Sequence, residues 1–379
     1  GGGPAGLTAA HLLSIKGVKV TLFEKEKALG GMLMAAIPSY RLPRDILKKE
    51  IDNLLNENVE VRLNQALGQE ITPESLLGQG YKAVYLATGA HESQPLGLAN
   101  ENVQGVYSGL TVLKEFNLHG RCPLKGRVGV IGGGNSAIDS ARVALRQKDV
   151  KEVTVFYRRG MEDLPAYKEE VDDALLEGVK IVPMVSPVAV GAKKGKLESI
   201  TLIKNKPGAL DASGRPRPEP VAGSEFTEKL DCLVVSIGEK STLEPLKNTE
   251  LMTGGRLTVN RDTLMTRQEG IFAGGDLVSG PNTVIDAVAA GKKAAEMIYR
   301  YVHKKGLIVL RDMKLPEIYV SPVDAGDMEG VERVEAPKLA LEKRRKNFME
   351  VECAVTAGAA KTEACRCLRC DLEYTEQRD

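Results

Sequence analysis

The sequence has little of what marks several large classes of protein. It has no tryptophan, four histidines and only 4% aromatic residues in 379. Its 52 lysines and arginines nearly balance 51 aspartates and glutamates, which argues against a nucleic-acid-binding protein. No apolar run approaches the ~18 residues that span a membrane, and no signal peptide is evident. The six cysteines are not scattered as in a secreted disulfide scaffold, so the composition predicts a cytoplasmic protein.

Glycine, in contrast, is abundant, with 39 residues, and two glycine-rich motifs are arranged alike. Residues 1–6 read GGGPAG and residues 132–137 read GGGNSA, and each motif precedes a helical stretch and then a β-branched strand. Glycine allows a tight turn and close approach of the backbone to a pyrophosphate, and the following helix presents its N–H groups to the anion. Two copies in matched settings predict two bound dinucleotides, and therefore electron transfer.

The first motif is followed by an acidic residue at the end of the second strand. Glu24 can accept hydrogen bonds from a ribose 2′-hydroxyl, and its charge would repel a 2′-phosphate. The alternative is an ordinary glycine-rich turn with a solvated glutamate. The first site is therefore predicted to bind FAD.

The second motif differs at the corresponding position. Aligning the two copies places Tyr157 where the first has Glu24, and Arg158 and Arg159 follow it. Arginine matches a phosphate with paired donors, so this strand end favours NADP(H). NAD(H), with the arginines as a solvated basic strand end, is the alternative.

The order of elements predicts an α/β fold with two Rossmann-like dinucleotide-binding domains, the NAD(P)-binding one inserted into the FAD-binding one. Buried strands are expected at residues 83–89 and 232–238, helices at 137–147 and 284–303, and a Pro/Gly-rich loop at 206–223. The predicted domains are an FAD-binding domain at residues 1–112 and 263–303, an NAD(P)H-binding domain at 113–262, and a cysteine-containing C-terminal extension at 304–379.

The first motif begins at residue 1, without the hydrophobic strand that should precede it. A parallel sheet lacking that central strand would leave backbone groups unpaired. We expect the strand to come from polypeptide upstream or from another segment.

Several further motifs together resemble a known group of flavoproteins. They are, in chain order, Gly30-Gly31-Met32-Leu33, Ile37-Pro38-Ser39-Tyr40-Arg41-Leu42-Pro43, Ala87-Thr88-Gly89-Ala90, residues 132–139, Tyr157-Arg158-Arg159, Leu164-Pro165-Ala166, Gly275-Asp276 and Pro281-Asn282-Thr283-Val284. In this order the chain resembles the flavoproteins typified by the small subunit of glutamate synthase. It is also similar to the flavin part of dihydropyrimidine dehydrogenase and to the large subunit of bifurcating ferredoxin:NADP oxidoreductases.

The resemblance implies a role for each matching residue. FAD would be bound by Gly1, Gly3, Pro4, Ala5, Gly6, Glu24, Lys25, Gly31, Met32, Leu33, Arg41, Thr88, Gly89, Asp276, Thr283 and Val284. NADP(H) would be bound by Gly132, Gly134, Asn135, Ser136, Ala137, Arg158, Arg159 and Gly238. The helix starting at Thr283 would face the flavin, where its N-terminus stabilises the negative charge of the reduced ring.

The implied reaction is hydride transfer from nicotinamide C4 to flavin N5. This reaction needs stacking, orientation and exclusion of water more than an acid or a base. We therefore assign no catalytic residue. The four histidines, at positions 11, 91, 119 and 303, have no sequence pairing typical of nucleophilic catalysis and are interpreted as structural.

The cysteines indicate where electrons leave the flavin. Neither nucleotide domain contains a Cys-x-x-Cys pair, and Cys122 and Cys232 are isolated, which disfavours a disulfide substrate. The C-terminal extension carries a set that supplies four thiolates: Cys353, Cys365, Cys367 and Cys370. Four thiolates suit an iron–sulfur cluster; zinc, free thiols or a site completed by a partner are the alternatives.

The sequence thus predicts an FAD-dependent NAD(P)H oxidoreductase module that exchanges electrons with iron–sulfur or catalytic partner subunits of a larger complex. One alternative is a subunit of a flavin-based electron-bifurcating NAD(P)H/ferredoxin complex, which would use the same two sites. The other is a non-catalytic nucleotide-binding scaffold, against which the completeness of both motifs argues.

Overall fold

The computed structural model describes residues 1–68, 71–247, 249–308 and 332–365. The helices in these ranges are α1 (Pro4–Ser14), α2 (Met32–Ala35), α3 (Arg44–Leu54), α4 (Pro73–Gly78), α5 (Gly109–His119), α6 (Asn135–Leu145), α7 (Lys168–Glu177), α8 (Asp276–Ser279), α9 (Val284–Val302), α10 (Leu341–Arg344) and α11 (Ala357–Cys365). None of these helices combines the length and the apolar character needed to cross a membrane.

The strands are short except where hairpins form. They are β1 (Val20–Phe23), β2 (Val59–Arg62), β3 (Val84–Leu86), β4 (Glu92–Ser93), β5 (Val106–Ser108), β6 (Gly126–Ile131), β7 (Val150–Phe156), β8 (Lys180–Val182), β9 (Val185–Lys193), β10 (Lys196–Leu210), β11 (Pro216–Pro220), β12 (Phe226–Lys229), β13 (Cys232–Val235), β14 (Glu239–Lys240), β15 (Met252–Thr253), β16 (Arg256–Leu257) and β17 (Ile271–Ala273).

The first domain is built from two parallel strand pairs and the packed helices α1 and α9. β1 pairs with β2, and β17 pairs with β3, so the chain returns to the first domain after the second one. Small residues let the two helices approach closely, because a Cβ at Gly291 of α9 would lie 2.4 Å from the carbonyl oxygen of Ala5 in α1. This return confirms that one domain is inserted into the other.

The second domain is a five-stranded parallel sheet with the order β5-β13-β6-β7-β8. Its strands are apolar on both faces, and Val130, Val153, Val155 and Val234 are fully buried, as expected of a sheet covered by helices on both sides. Both domains are of the Rossmann type, as predicted.

The structure moves the domain boundaries that the sequence predicts. β5 pairs with β13, so the second domain begins near residue 106, ahead of the predicted 113. Leu246, Leu251 and Leu257 pack with Val84 and Ile271 in the core of the first domain. The second domain therefore ends near residue 240 and not at 262.

The region predicted as a loop at residues 206–223 is mostly strand. β10 continues to Leu210 and turns back into β11, with a register shift between Pro207 and Leu210. Proline lacks a donor and is tolerated on an edge strand or beside a bulge, which explains how this proline-rich stretch forms a hairpin. β9, β10, β11 and β12 together form an antiparallel sheet beside the parallel one.

The described part of the C-terminal extension contacts both domains. The ring of Phe348 lies 4.4 Å from that of Phe116 and 6.3 Å from that of Tyr40. Lys338 and Arg344 form salt bridges with Asp173 of α7, at 2.8 and 3.1 Å. The extension therefore bridges the two dinucleotide domains.

Candidate functional site

A cavity of about 890 Å³ lies in the first domain at the start of α1. Every residue predicted to bind FAD lines it except Arg41: Gly1, Gly3, Pro4, Ala5, Gly6, Glu24, Lys25, Gly31, Met32, Leu33, Thr88, Gly89, Asp276, Thr283 and Val284. The structure thus brings together residues from both ends of the first domain.

Two glycines at this cavity have no room for a side chain. A Cβ at Gly6 would lie 1.9 Å from the carbonyl oxygen of Gly1, and one at Gly31, where φ is 53°, would lie 2.8 Å from the Cα of Gly3. Gly3 is the N-cap of α1 and offers no side chain to its free N–H groups. These N–H groups are therefore available to an anion such as a pyrophosphate.

Glu24 lies at the end of β1 with its carboxylate buried, at 6% exposure. Its Oε2 accepts a hydrogen bond from the Gly2 N–H (2.7 Å), and its Oε1 accepts one from the Glu26 N–H (2.9 Å). A carboxylate oxygen can accept a second bond, so both oxygens retain capacity for ribose hydroxyls.

Four buried polar atoms around the cavity lack hydrogen-bond partners among the described residues. They are Tyr85 Oη, Thr88 Oγ1, His91 Nδ1 and Asp276 Oδ1, and all four residues line the cavity. Leaving such groups unpaired is costly, so the cavity is suited to a polar ligand that would pair with them. This arrangement fits FAD.

His91 is a cavity residue that the sequence analysis interpreted as structural. Burial, with smaller contributions from Lys114 and Lys25, lowers the pKa of His91 to about 3, so its ring is neutral. The signal in the sequence was its position two residues after Gly89, where the strand β3 opens into the site.

The helix α9 starts at the mouth of the cavity. Thr283 is its N-cap, and the Thr283 Oγ1 accepts a hydrogen bond from the Asp286 N–H at 3.2 Å. Val284 and Ile285 are exposed although both are apolar. The N-terminus of this long helix therefore faces the site, as predicted, and would stabilise negative charge there.

The segment in which the second domain ends and the chain returns to the first, residues 239–242, lies against the same cavity. β14, which directly follows Gly238, pairs with β4 of the first domain. The His91 N–H donates to Thr242 Oγ1 at 3.1 Å, and Ser241 Oγ donates to the Asp276 carbonyl at 2.8 Å. The chain just after β13, where Gly238 is predicted to bind NADP(H), thus leads directly to the first cavity.

The second glycine-rich turn resembles the first: its third glycine has room for a Cβ, as Gly3 has, and its first glycine has none. Gly134 is the N-cap of α6, and a Cβ there would meet no atom within 4 Å. Gly132 is restricted, because its Cβ would lie 2.1 Å from the Ser236 carbonyl oxygen. Asn135 Oδ1 accepts a hydrogen bond from the Tyr167 N–H at 3.0 Å, which ties the turn to α7. Ser136 and Ala137 continue the first turn of α6.

The two predicted phosphate-binding arginines have different environments. Arg158 is exposed. Arg159 is buried; its Nε donates to the Pro216 carbonyl at 2.9 Å, and its guanidinium pairs with Asp211 at 2.5 Å.

Arg41, which the resemblance assigned to FAD, lies away from the cavity. Its guanidinium forms salt bridges with Asp139 of α6 (2.8 Å) and Glu170 of α7 (2.9 Å). Arg41 therefore connects the first domain to the second, and its partners are too far along the chain for the sequence pattern to have indicated them.

Of the predicted metal ligands, Cys353 and Cys365 are exposed free thiols. Cys367 and Cys370 lie outside the described residues. Within the described ranges, no group of three or more His, Cys, Asp or Glu side chains is arranged to hold a metal ion. The half-buried Cys122 and the buried Cys232 are free thiols as well.

The chain has clear relatives. It is 41% identical to the NADP(+)-dependent formate dehydrogenase subunit beta of Moorella thermoacetica, over 98% of this chain and 54% of that protein. It is 34% identical to the NADPH-Fe(3+) oxidoreductase subunit beta of Geobacter sulfurreducens, over 98% of this chain and 60% of that protein. The small chain of the Escherichia coli glutamate synthase [NADPH] is 34% identical over 80% of this chain and 67% of its own length. The chain thus spans little more than half of the first two relatives.

Solved structures share the fold. Mycobacterium tuberculosis FprA in complex with NADPH superimposes with a TM-score of 0.68 at 18% identity, covering 80% of this chain and 84% of FprA. Lactococcus lactis thioredoxin reductase superimposes with a TM-score of 0.58 at 21% identity, covering 80% and 97%. Residues 1–291 match the family described as pyridine nucleotide-disulphide oxidoreductase. The chain therefore belongs to this family and is an oxidoreductase with one domain for FAD and one for a nicotinamide dinucleotide.

Proposed function

We propose that this chain passes electrons, through bound FAD, between NADP(H) and iron–sulfur clusters or a partner subunit of a larger redox complex. The observation that carries the proposal is the wall shared by the two sites. β14, directly after Gly238, pairs with β4, and the residues that follow β14, Ser241 and Thr242, bond to Asp276 and His91 of the FAD cavity. Two dinucleotides bound on either side of this wall would have their reactive ends close together.

The residues of the chain would bind, orient and shield. Bound FAD would supply the redox chemistry, accepting a hydride from nicotinamide and releasing electrons singly. Glu24 would bind the ribose of FAD. Thr88 Oγ1 and Asp276 Oδ1, which have no hydrogen-bond partner among the described residues, would bond to FAD as well. The N-terminus of α9 would stabilise the charge of the reduced state. The glycine-rich turn at residues 132–137 would hold the pyrophosphate of the exchanging nucleotide.

A multisubunit setting is supported by the names of the relatives. Two of them are named as beta subunits and one as a small chain, and the first two extend well beyond the part this chain matches. We propose that the electron acceptor is an iron–sulfur or catalytic partner subunit. The cytoplasmic location stays a prediction.

The C-terminal cysteines are the proposed exit for electrons. Cys353 and Cys365 are both exposed, as thiols that take up a cluster during assembly must be. Together with Cys367 and Cys370 they would supply four thiolates to an iron–sulfur cluster. Zinc is the alternative ion for the same ligands.

The experiment is anaerobic reduction of the purified holoprotein by NADPH and by NADH, followed by reduction of an artificial dye and by iron and acid-labile sulfide analysis. We expect NADPH to bleach the flavin band and to support dye reduction, with equal amounts of iron and sulfide. A flavin-containing protein that neither nucleotide reduces would instead be a scaffold. Metal without sulfide would indicate zinc. In a redox titration, a one-electron flavin state too unstable to detect would favour bifurcation.

A further inference from the structure

A second cavity, of about 380 Å³, lies at the carboxyl ends of β7 and β8. The residues that line it include Arg158 after β7, Met184 after β8 and Arg217 of β11. In a Rossmann domain the adenosine ribose lies at the end of the second strand, which here is β7. The β10–β11 hairpin, which the sequence predicts as a loop, thus forms one side of the place where a 2′-phosphate would lie.

Arg159 fixes this hairpin to the parallel sheet. Its Nε bonds to the Pro216 carbonyl and its guanidinium to Asp211, while Asp211 Oδ1 accepts two hydrogen bonds from Ser213, at 2.8 and 2.5 Å. These bonds from Ser213 lower the pKa of Asp211 to about 2, so the pair stays charged. Arg159 is buried and its positive charge is balanced by Asp211, so it is less available than an unpaired arginine to bind a phosphate.

Arg158 and Arg217 differ from Arg159 in this respect. Both side chains are exposed and line the cavity, and neither forms a salt bridge within the part of the chain that the structure describes. They approach from opposite sides, one from the strand end and the other from the hairpin. Two guanidinium groups match a doubly charged phosphate with several donors.

We propose that Arg217 and Arg158 together bind the 2′-phosphate of NADP(H), and that Arg159 is a positioning residue that holds the hairpin over it. This inference rests on the proposed function, since it concerns the nucleotide of that same reaction. The preference for NADP(H) over NAD(H) would then depend in part on Arg217, nearly sixty positions beyond Arg158, where the sequence analysis placed it.

Two carboxylates also line the cavity, those of Glu162 and Asp163. The Glu162 carboxylate lies against Gly160, where a Cβ would come within 2.3 Å of its Oε1. A negative charge here opposes a phosphate but accepts hydrogen bonds from an unphosphorylated ribose. Glu162→Gln should therefore strengthen binding of the 2′-phosphate a few-fold and should not strengthen binding of a nucleotide without it.

The test is calorimetric titration of the full-length holoprotein with 2′,5′-ADP and with 5′-AMP, which differ only in the 2′-phosphate. Arg217→Ala should weaken 2′,5′-ADP by about 10- to 100-fold, the value of a charged hydrogen-bonded contact, and leave 5′-AMP within about twofold. Arg215→Ala is the matched control. Arg215 is on the same hairpin but does not line the cavity, and its side chain bonds to Ser213.

The outcomes separate this inference from the proposed function. If Arg217→Ala protein still prefers 2′,5′-ADP by the original factor and still reduces dye with NADPH, the inference is wrong and the proposed function stands. If Arg215→Ala matches Arg217→Ala, the effect is one of general charge and the inference is again wrong. Equal affinity of the unaltered protein for both ligands would overturn the inference and the choice of NADP(H) together.

The positioning role of Arg159 is tested by changing its salt-bridge partner, Asp211, and measuring the KM for each nucleotide. Asp211→Ala removes the salt bridge, and the KM for NADPH should rise about tenfold with kcat and the KM for NADH unchanged. Asp211→Glu should restore most of the loss, because the carboxylate is retained. A rise in both KM values that Asp211→Glu does not restore would show a general structural defect and overturn the role.

Discussion

The two glycine-rich turns start from similar sequences but form sites of different character. The first is enclosed: Glu24 is 6% exposed, and unpaired polar atoms of Thr88, His91 and Asp276 line a cavity of about 890 Å³. The turns themselves are alike, since Gly3 and the matching Gly134 both have room for a Cβ, but Arg158 beside the second turn is exposed. An enclosed polar cavity suits a prosthetic group that stays bound, and exposed surroundings suit a nucleotide that exchanges. The difference comes from what surrounds each turn and not from the turn itself.

The largest effect should come from adding one methyl group to either turn. Gly6→Ala would place Cβ 1.9 Å from the Gly1 carbonyl oxygen, so we expect the purified protein to contain almost no flavin. Gly134→Ala adds the same methyl group where there is space, at φ −85°, and should keep its flavin while binding NADPH more weakly. The ratio of flavin to protein measures this directly. Equal flavin content in the two variants would show that the close packing at Gly6 is not required for flavin binding.

A smaller effect should follow from breaking the salt bridges that join the domains. Arg41→Ala would leave the buried Asp139 without its main cation, and we expect the free energy of unfolding to fall by about 2–4 kcal/mol. The matched control is Arg62→Ala, which removes an exposed pair with Glu60 and should leave the free energy of unfolding almost unchanged. Urea unfolding followed by circular dichroism measures both. Similar losses for the two variants would show that Arg41 does not join the domains in solution.

The smallest effect is a dependence on pH in the same network. Burial raises the pKa of Asp139 from 3.8 to about 6, although Arg41 opposes the shift. Because the folded protein then holds a proton that the unfolded chain releases, this contribution to stability is full below about pH 4 and is lost as pH rises through about 6. Relative to Asp139→Asn, the unaltered protein should lose about 1–3 kcal/mol between pH 4 and 7. A constant difference between the two proteins over this range would show that Asp139 does not titrate there.

The sequence predicted correctly those features that depend on neighbouring residues, such as helix ends and tight turns. The helix after Thr283 was expected at residues 284–303 and spans Val284–Val302, because a threonine N-cap and a helical apolar period are both visible in the sequence. The glycines of both turns were identified for the same reason. A steric requirement between residues close in the chain restricts the residue types at those positions, so it is visible in the sequence.

Features that depend on distant partners were not predicted. The partner of Arg159 is Asp211 and that of Arg41 is Asp139, 52 and 98 positions away, and no local pattern links them. The hairpin at β10 and β11 was missed because proline and glycine favour loops in the absence of a pairing strand. The boundary at residue 106 was missed because β5 has only three residues and is recognisable only through its pairing with β13.

Tyr40 lies where the first domain, the second domain and the C-terminal extension meet. Its ring belongs to the first domain, yet the guanidinium groups of Arg142 and Arg146 from the second domain lie over it at 4.7 and 4.2 Å. The Tyr40 carbonyl accepts a hydrogen bond from the Val351 N–H of the extension, and Phe348 lies beside the ring. No one of the three parts can change its surface here without a compensating change in the other two. In engineered chimeras the extension should therefore be exchanged together with both surfaces that it contacts, or the graft will lose the contacts that Tyr40 makes with Phe348 and Val351.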